Sequence, residues 1–246
     1  MIHPSAQAFA RPMPRGRDAL LEPISWLRPR ERLNDRPHTR VRLAYRLAKR
    51  PLDIAVAIGL LMIFALPMLL MALAIRLETP GPVLFRQRRI GLSGRRFQLL
   101  KFRTMYHPSR CDAEAAMWHQ ATRDDPRITR VGAFLRRTSL DELPQVFNVL
   151  RGEMAVVGPR PHAPGTRAAG RLFEDVSPRY SERHEVRPGI TGLAQVRGWR
   201  GETDTEDKLL HRLDCDLEYI AHWSPRLDLL ILWRTIFTVL RMRNAY

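Results

Sequence analysis

The longest apolar stretch in this chain runs from Ile54 to Ile75, 22 residues without a charge. As a helix that length is enough to cross the hydrocarbon core of a bilayer. Its flanks argue against a simple crossing. Arg36, Arg40, Arg42, Arg46, Lys49 and Arg50 precede it, and Arg76, Arg86, Arg88, Arg89, Arg95 and Arg96 follow it. By the positive-inside rule both ends belong on the cytoplasmic side. Pro67 lies near the middle, where it removes a helix hydrogen bond and crowds the preceding turn. The pattern predicts a re-entrant membrane helix over 41–78, kinked at Pro67. A spanning helix with a tolerated proline is the alternative.

Beyond Thr79-Pro80-Gly81-Pro82, the runs Val83–Arg89 and Arg96–Phe102 flank Gly91-Leu92-Ser93-Gly94, the pattern of a β-hairpin with a glycine turn. Helical spacing follows over Ala133–Arg137, Pro144–Leu150, Lys208–His222 and Leu227–Arg241, with proline and glycine punctuation around 158–165 and 187–201. The last of these helices carries Trp233 among Leu, Ile and Phe, with arginines at 234, 241 and 243. It suits either the interface plane of a membrane or a core. The first forty residues hold six prolines among many arginines, without an apolar period, which predicts a disordered basic arm. The expected fold is α+β and mostly helical, with residues 79–246 forming a cytoplasmic catalytic domain.

Composition narrows the partners. Lys and Arg number 41 against 25 Asp and Glu, a formal charge of +16, which favours nucleic acid, nucleotide phosphates or anionic lipid headgroups. The two cysteines, Cys111 and Cys215, are far apart and have no metal-ligand spacing around them. Neither a disulfide framework nor a zinc site is suggested, and a reducing cytosolic setting is the default.

Candidate chemistry centres on Arg136-Arg137-Thr138-Ser139-Leu140-Asp141-Glu142-Leu143-Pro144-Gln145. Ser139 and Glu142 have capping-box spacing, which would need no function. Alternatively Pro144 is the first helical residue and the two acids lie in the turn before it. Either placement sets Asp141 and Glu142 at the positive end of a helix. Attack on a pyrophosphate needs a nucleophile, a divalent metal and fixed cations for the leaving phosphate; carboxylates can do the first two jobs and arginines the third. Gly158-Pro159-Arg160-Pro161 presents a permanently charged fork on a restricted backbone. In Lys101-Phe102-Arg103-Thr104-Met105 strand alternation points Lys101 and Arg103 the same way.

The order of these pieces resembles the bacterial sugar transferase family, the monotopic phosphoglycosyl transferases. The resemblance runs from about Lys49 to Tyr246. Its pieces are Lys49-Arg50-Pro51-Leu52-Asp53, Thr79-Pro80-Gly81-Pro82-Val83, Lys101 to Met105, and Asp125-Pro126-Arg127-Ile128-Thr129-Arg130-Val131-Gly132. They continue with Ser139 to Gln145, Val157-Gly158-Pro159-Arg160-Pro161, and Arg187-Pro188-Gly189-Ile190-Thr191-Gly192. The resemblance implies Asp141 as nucleophile and Glu142 as its partner at Mg²⁺. It implies that Arg136 and Arg160, flanked by Pro159 and Pro161, handle phosphates or the nucleotide, and that Lys101 and Arg103 line the site. It further implies a UDP-sugar donor, undecaprenyl phosphate as acceptor, a re-entrant helix among membrane lipids, and the cytoplasmic face of a bacterial inner membrane. One departure is Leu66 before the kinking proline, where the family commonly has Ser. Pro161-His162-Ala163, Gly198-Trp199-Arg200-Gly201-Glu202-Thr203-Asp204-Thr205 and Asn244-Ala245-Tyr246 resemble the branch that uses UDP-glucose in exopolysaccharide assembly. Many of that branch carry an N-terminal membrane block, and here only the short basic arm stands there.

Other readings fit less well. A basic membrane-anchored nucleic-acid-binding protein would suit the charge, but no helix-turn-helix, RRM or zinc-finger signature is present, so no nucleic-acid partner is expected. Adjacent acids are poorly placed to flank a glycosidic bond as a hydrolase requires. A purely structural membrane scaffold leaves the ordered motifs unexplained. The identity of the sugar is not legible, and a homo-oligomer stays open.

Overall fold

The computed structural model describes residues 39–106, 125–201 and 203–240. The basic arm expected over 1–40 therefore lies almost wholly outside the described residues, as do Cys111, Glu202 and Asn244-Ala245-Tyr246.

Helix α1 spans Thr39–Glu78 and contains both Pro51 and Pro67. The helix is continuous through Pro67, so the expected kink is not a break in secondary structure. Segments on either side of its exposed middle dock on the same body. Near the start, Arg50 donates to the carbonyls of Val149 and Leu150 at 2.5 and 2.9 Å. At the other end, Ile75 packs with Phe102 and Leu135 in a core that also takes in Met68, Met71 and Ala72. Between these anchors Met62, Ile63, Leu66, Leu69 and Leu70 are largely exposed. An uncovered apolar surface of that length has no protein partner among the described residues, and its composition suits lipid.

The hairpin forms as the glycine turn predicts: β1 (Leu84–Ile90) pairs antiparallel with β2 (Arg96–Phe102), Phe85 opposite Lys101 and Arg89 opposite Phe97. Helix α2 (Arg130–Thr138) begins where Thr129 accepts from the Gly132 N–H at 2.9 Å. A Cβ on Gly132 would stand 2.0 Å from the Thr104 carbonyl oxygen, so α2 approaches β2's exit more closely than any other residue allows. A 3₁₀ turn (Leu140–Glu142) then leads into α3 (Gln145–Arg151) and β3 (Ala155–Val157).

A short hairpin, β4 (Arg167–Ala168) and β5 (Arg171–Leu172), precedes α4 (Phe173–Val176) and a 3₁₀ helix at Tyr180–Glu185. Strand β6 (Gly189–Thr191) pairs parallel with β3. A Cβ on Gly189 would meet the Gly158 nitrogen at 2.1 Å, and one on Gly192 the Gly158 carbonyl oxygen at 2.3 Å. The two punctuated stretches around 158 and 189 thus pack backbone on backbone. Helices α5 (Leu193–Val196), α6 (Glu206–His222) and α7 (Pro225–Leu240) complete the chain.

Helix α7 has a core-facing side and an exposed apolar side. Leu227 and Ile231 are buried, whereas Leu229, Trp233 and Ile236 on other faces are exposed. Its Asp228 joins α1 through the buried Lys49 ammonium, which lies 2.8 Å from Asp228 and 2.9 Å from Asp53. Asp53 also accepts from the Val156 N–H at 2.9 Å, and Tyr219 donates to Asp228 at 2.8 Å. Lys49, Arg50 and Asp53 are therefore the fastening between α1 and the body formed by the later elements.

Candidate active site

Ser139 decides the geometry of the acidic pair. It ends α2 in the left-handed region (φ 61°, ψ 15°), and its side chain caps nothing. The capping box open to Ser139 and Glu142 does not form. Pro144 instead occupies the position before α3, and Asp141 and Glu142 lie in the 3₁₀ turn ahead of it. A non-glycine residue held at positive φ is strained and needs surrounding contacts to keep it there. Arg200 supplies one, donating to Ser139 Oγ at 2.5 Å.

The two acids have unequal surroundings. Glu142 accepts from Lys101 Nζ at 2.9 Å and from both terminal nitrogens of Arg160, at 3.1 and 2.5 Å. Burial opposes its ionisation, but Arg160 and Lys101 outweigh that and hold its carboxyl well below the usual range. Asp141 has only Lys101 within ion-pair distance among the described residues, at 3.7 Å. Burial pushes its carboxyl up, against the pull of Lys101, and adjacent Glu142 adds to the rise. The turn thus holds one firmly paired carboxylate and one that is poorly stabilised as an anion.

The expected site residues divide. Lys101, Arg160, Asp141 and Glu142 converge. Arg136 stands at the end of α2 and acts on Asp141 at longer range, as one of the cations favouring its ionised form. Pro159 and Pro161 hold Arg160 from either side through their carbonyls, which accept from Gly189 N–H at 2.9 Å and from Arg89 at 3.2 Å. Arg103 does not point with Lys101 into the site. β2 ends at Phe102, and the Arg103 guanidinium donates to the carbonyls of Pro80 and Thr79 at 2.5 and 2.9 Å. It fastens the turn after α1.

Several residues to which the sequence assigned no site role complete the site. Arg89 is half-buried, close enough to Arg160 and Glu142 to feel both; loss of solvent and the Arg160 charge push it down to about 10. Strand alternation could have found it, because Arg89 lies four residues beyond Phe85, the partner of Lys101, on one face of the hairpin. Arg200 lies in the singled-out 198–205 stretch. Arg183 and Asp216 left no local signal, being 33 residues apart in sequence yet joined at 2.7 Å.

For a divalent metal, Asp141 and Glu142 are the donors at hand, and no cluster of three or more acidic, His or Cys ligands occurs among the described residues. That donor set fits Mg²⁺, which usually takes one or two carboxylates and completes its shell with substrate phosphates and water. It does not fit a metal needing a full protein cage.

The sequence matches the bacterial sugar transferase family over residues 44–242. A Komagataeibacter xylinus protein named undecaprenyl-phosphate glucose phosphotransferase is 51% identical over 200 residues, covering 81% of this chain and 37% of that protein. A Caulobacter vibrioides protein named UDP-glucose:undecaprenyl-phosphate glucose-1-phosphate transferase is 50% identical, covering 83% of this chain and 74% of its own length. An Aeromonas hydrophila protein named for transfer of N-acetylgalactosamine phosphate to undecaprenyl phosphate is 42% identical, covering 80% and 44%. The chain thus spans little more than a third of the Komagataeibacter protein.

Proposed function

The chain belongs to the bacterial sugar transferase family, and from that premise we propose that it transfers glucose-1-phosphate from UDP-glucose to undecaprenyl phosphate at the cytoplasmic face of a bacterial inner membrane. The product would initiate exopolysaccharide or related glycan assembly. The proposed route is covalent. An Asp141 carboxylate oxygen attacks the sugar-bearing β-phosphorus, the bond from that phosphorus to the bridging oxygen breaks, and UMP leaves with the electron pair. An oxygen of the lipid phosphate then attacks the aspartyl phosphosugar and regenerates the Asp141 carboxylate. Two easier displacements replace one.

The observation that carries this reading is the division of labour in the turn. Glu142 takes the short bonds from Arg160 and Lys101, which leaves Asp141 the less stabilised anion and the better nucleophile. An arriving pyrophosphate offers Arg160 and Lys101 new anionic partners, which releases Glu142 oxygens. Mg²⁺ held by Asp141 and Glu142 would neutralise phosphoryl oxygens. The exposed middle of α1 supports a membrane-embedded, re-entrant reading, because the segments on either side of it, at Arg50 and at Ile75, dock on the same body. That arrangement would bring the lipid phosphate near Asp141 and gain proximity.

The test is a UDP-glucose carrying labelled β-phosphate, incubated without lipid acceptor. Wild type should become labelled and Asp141→Asn should not. An unlabelled wild type whose kinetics require both substrates before UMP leaves would point to direct transfer. The Aeromonas relative favours a second reading for the sugar, an N-acetylhexosamine. UMP release measured across UDP-glucose, UDP-galactose and UDP-N-acetylhexosamines decides between them.

A further inference from the structure

Four consecutive carbonyls of the loop bearing Arg160 each meet a fixed donor. Pro159 accepts from the Gly189 N–H at 2.9 Å and His162 from the Ile90 N–H at 3.1 Å. Pro161 accepts from Arg89 at 3.2 Å, and Arg160 itself from Arg183 at 2.8 Å. Of these donors only Arg183 belongs to the 3₁₀ helix at 180–185, and only it is tied to a distant helix. Its guanidinium is 4% exposed and also donates to Asp216 of α6 at 2.7 Å and to the Tyr180 hydroxyl at 3.0 Å. The same nitrogen that meets Tyr180 contacts His162 Nδ1.

A buried ion pair is weak evidence for stability, since apolar residues of similar volume often do as well. What this pair supplies that apolar packing would not is a directional bond to the backbone of Arg160. We propose that Arg183, anchored by Asp216, is a positioning residue that sets where the Arg160 guanidinium stands over the Asp141–Glu142 turn. The assignment rests on the transferase reading above. In that reading Arg160 turns from Glu142 to the arriving pyrophosphate and stays with the charge that grows as UMP leaves, so its placement acts on the transition state more than on ground-state binding.

The variants are Arg183→Lys and Asp216→Asn, purified with lipid and checked by thermal unfolding. The bonds to the Arg160 carbonyl and Asp216 leave from one nitrogen and the bond to Tyr180 from the other, so an unforked ammonium gives up the Tyr180 contact that fixes the first nitrogen's direction, and Arg183→Lys should lower kcat for UMP release by about ten- to a hundredfold. KM for the UDP-sugar should change little. In an Arg160→Ala background the same change should cost nothing further, because it acts through the group already removed. Asp216→Asn should show the same pattern more weakly. A folded Arg183→Lys with unchanged kcat, or a loss that adds in full to that of Arg160→Ala, overturns the proposal. Failure of both variants to fold also overturns it, since the pair is then a requirement of the fold itself. A wild type that releases no UMP from any UDP-sugar would sink the transferase reading instead, and this inference with it.

Discussion

Arg160 reaches across from the 158–161 loop and grips Glu142 through both terminal nitrogens, at 3.1 and 2.5 Å. Asp141, one position earlier, feels the same guanidinium's charge, but its ion-pair cation is Lys101 at 3.7 Å. That asymmetry between adjacent carboxylates is the basis of most of what can be tested.

Asp141 is costly to keep buried and ionised, since burial raises its pKa. Asp141→Asn should therefore abolish UMP release while the unfolding temperature holds or rises, the pattern expected where function is kept at the expense of stability. Glu142→Gln should lose most turnover and also lower the unfolding temperature, because Arg160 and Lys101 lose their charged partner. Equal destabilisation by the two changes would contradict the asymmetry.

The acid side of the stability profile carries the same signature. Glu142 has a depressed pKa in the folded state. Its contribution is fully present above its ordinary value of 4.5 and is lost as pH falls below 4.5 through the folded value. Asp141, with a raised pKa, acts in the opposite sense. Unfolding temperatures measured from pH 6 downward should fall more steeply below about 4.5 for wild type than for Glu142→Gln.

Chelation should stop UMP release, and Mg²⁺ should restore it, given two carboxylates and a pyrophosphate as the oxygen donors. Full turnover in excess EDTA would remove the metal from the reaction.

For topology, single cysteines at Arg42 and Arg96 in a cysteine-free background should both be shielded from an impermeant thiol reagent outside sealed cells. Labelling of one alone would mean that α1 spans. Pro67→Leu restores a backbone donor in the exposed middle of α1 and should shift the protein toward that spanning form.

Lys49 sits between Asp53 and Asp228 with almost no solvent contact. Lys49→Met leaves two buried carboxylates facing each other without a cation, which should cost about 3–5 kcal/mol. Thermal unfolding should show the loss, and replacing Asp53 and Asp228 together with Lys49 by apolar residues should recover part of it.

The sequence by itself carried the elements whose signal is local. An apolar run of 22 residues, a glycine turn between two alternating stretches and helical spacing after residue 130 each depend on neighbours a few positions away. The acidic pair was legible for the same reason, and so were Lys101 and Arg160. Tertiary structure decided which of two local options the pair took: Ser139 could cap a helix or end one. Arg200, 61 residues later, meets its hydroxyl at a left-handed turn that ends the helix. Arg103 followed the alternation of β2 on paper, yet the carbonyls of Thr79 and Pro80 drew its guanidinium away. The Arg183–Asp216 pair and the seating of Lys49 on Asp228 were invisible, because a buried charge is stable only beside its partner and the partners lie 33 and 179 residues away. Periodicity records which side of an element faces the core; which charge meets which inside that core is settled by packing alone.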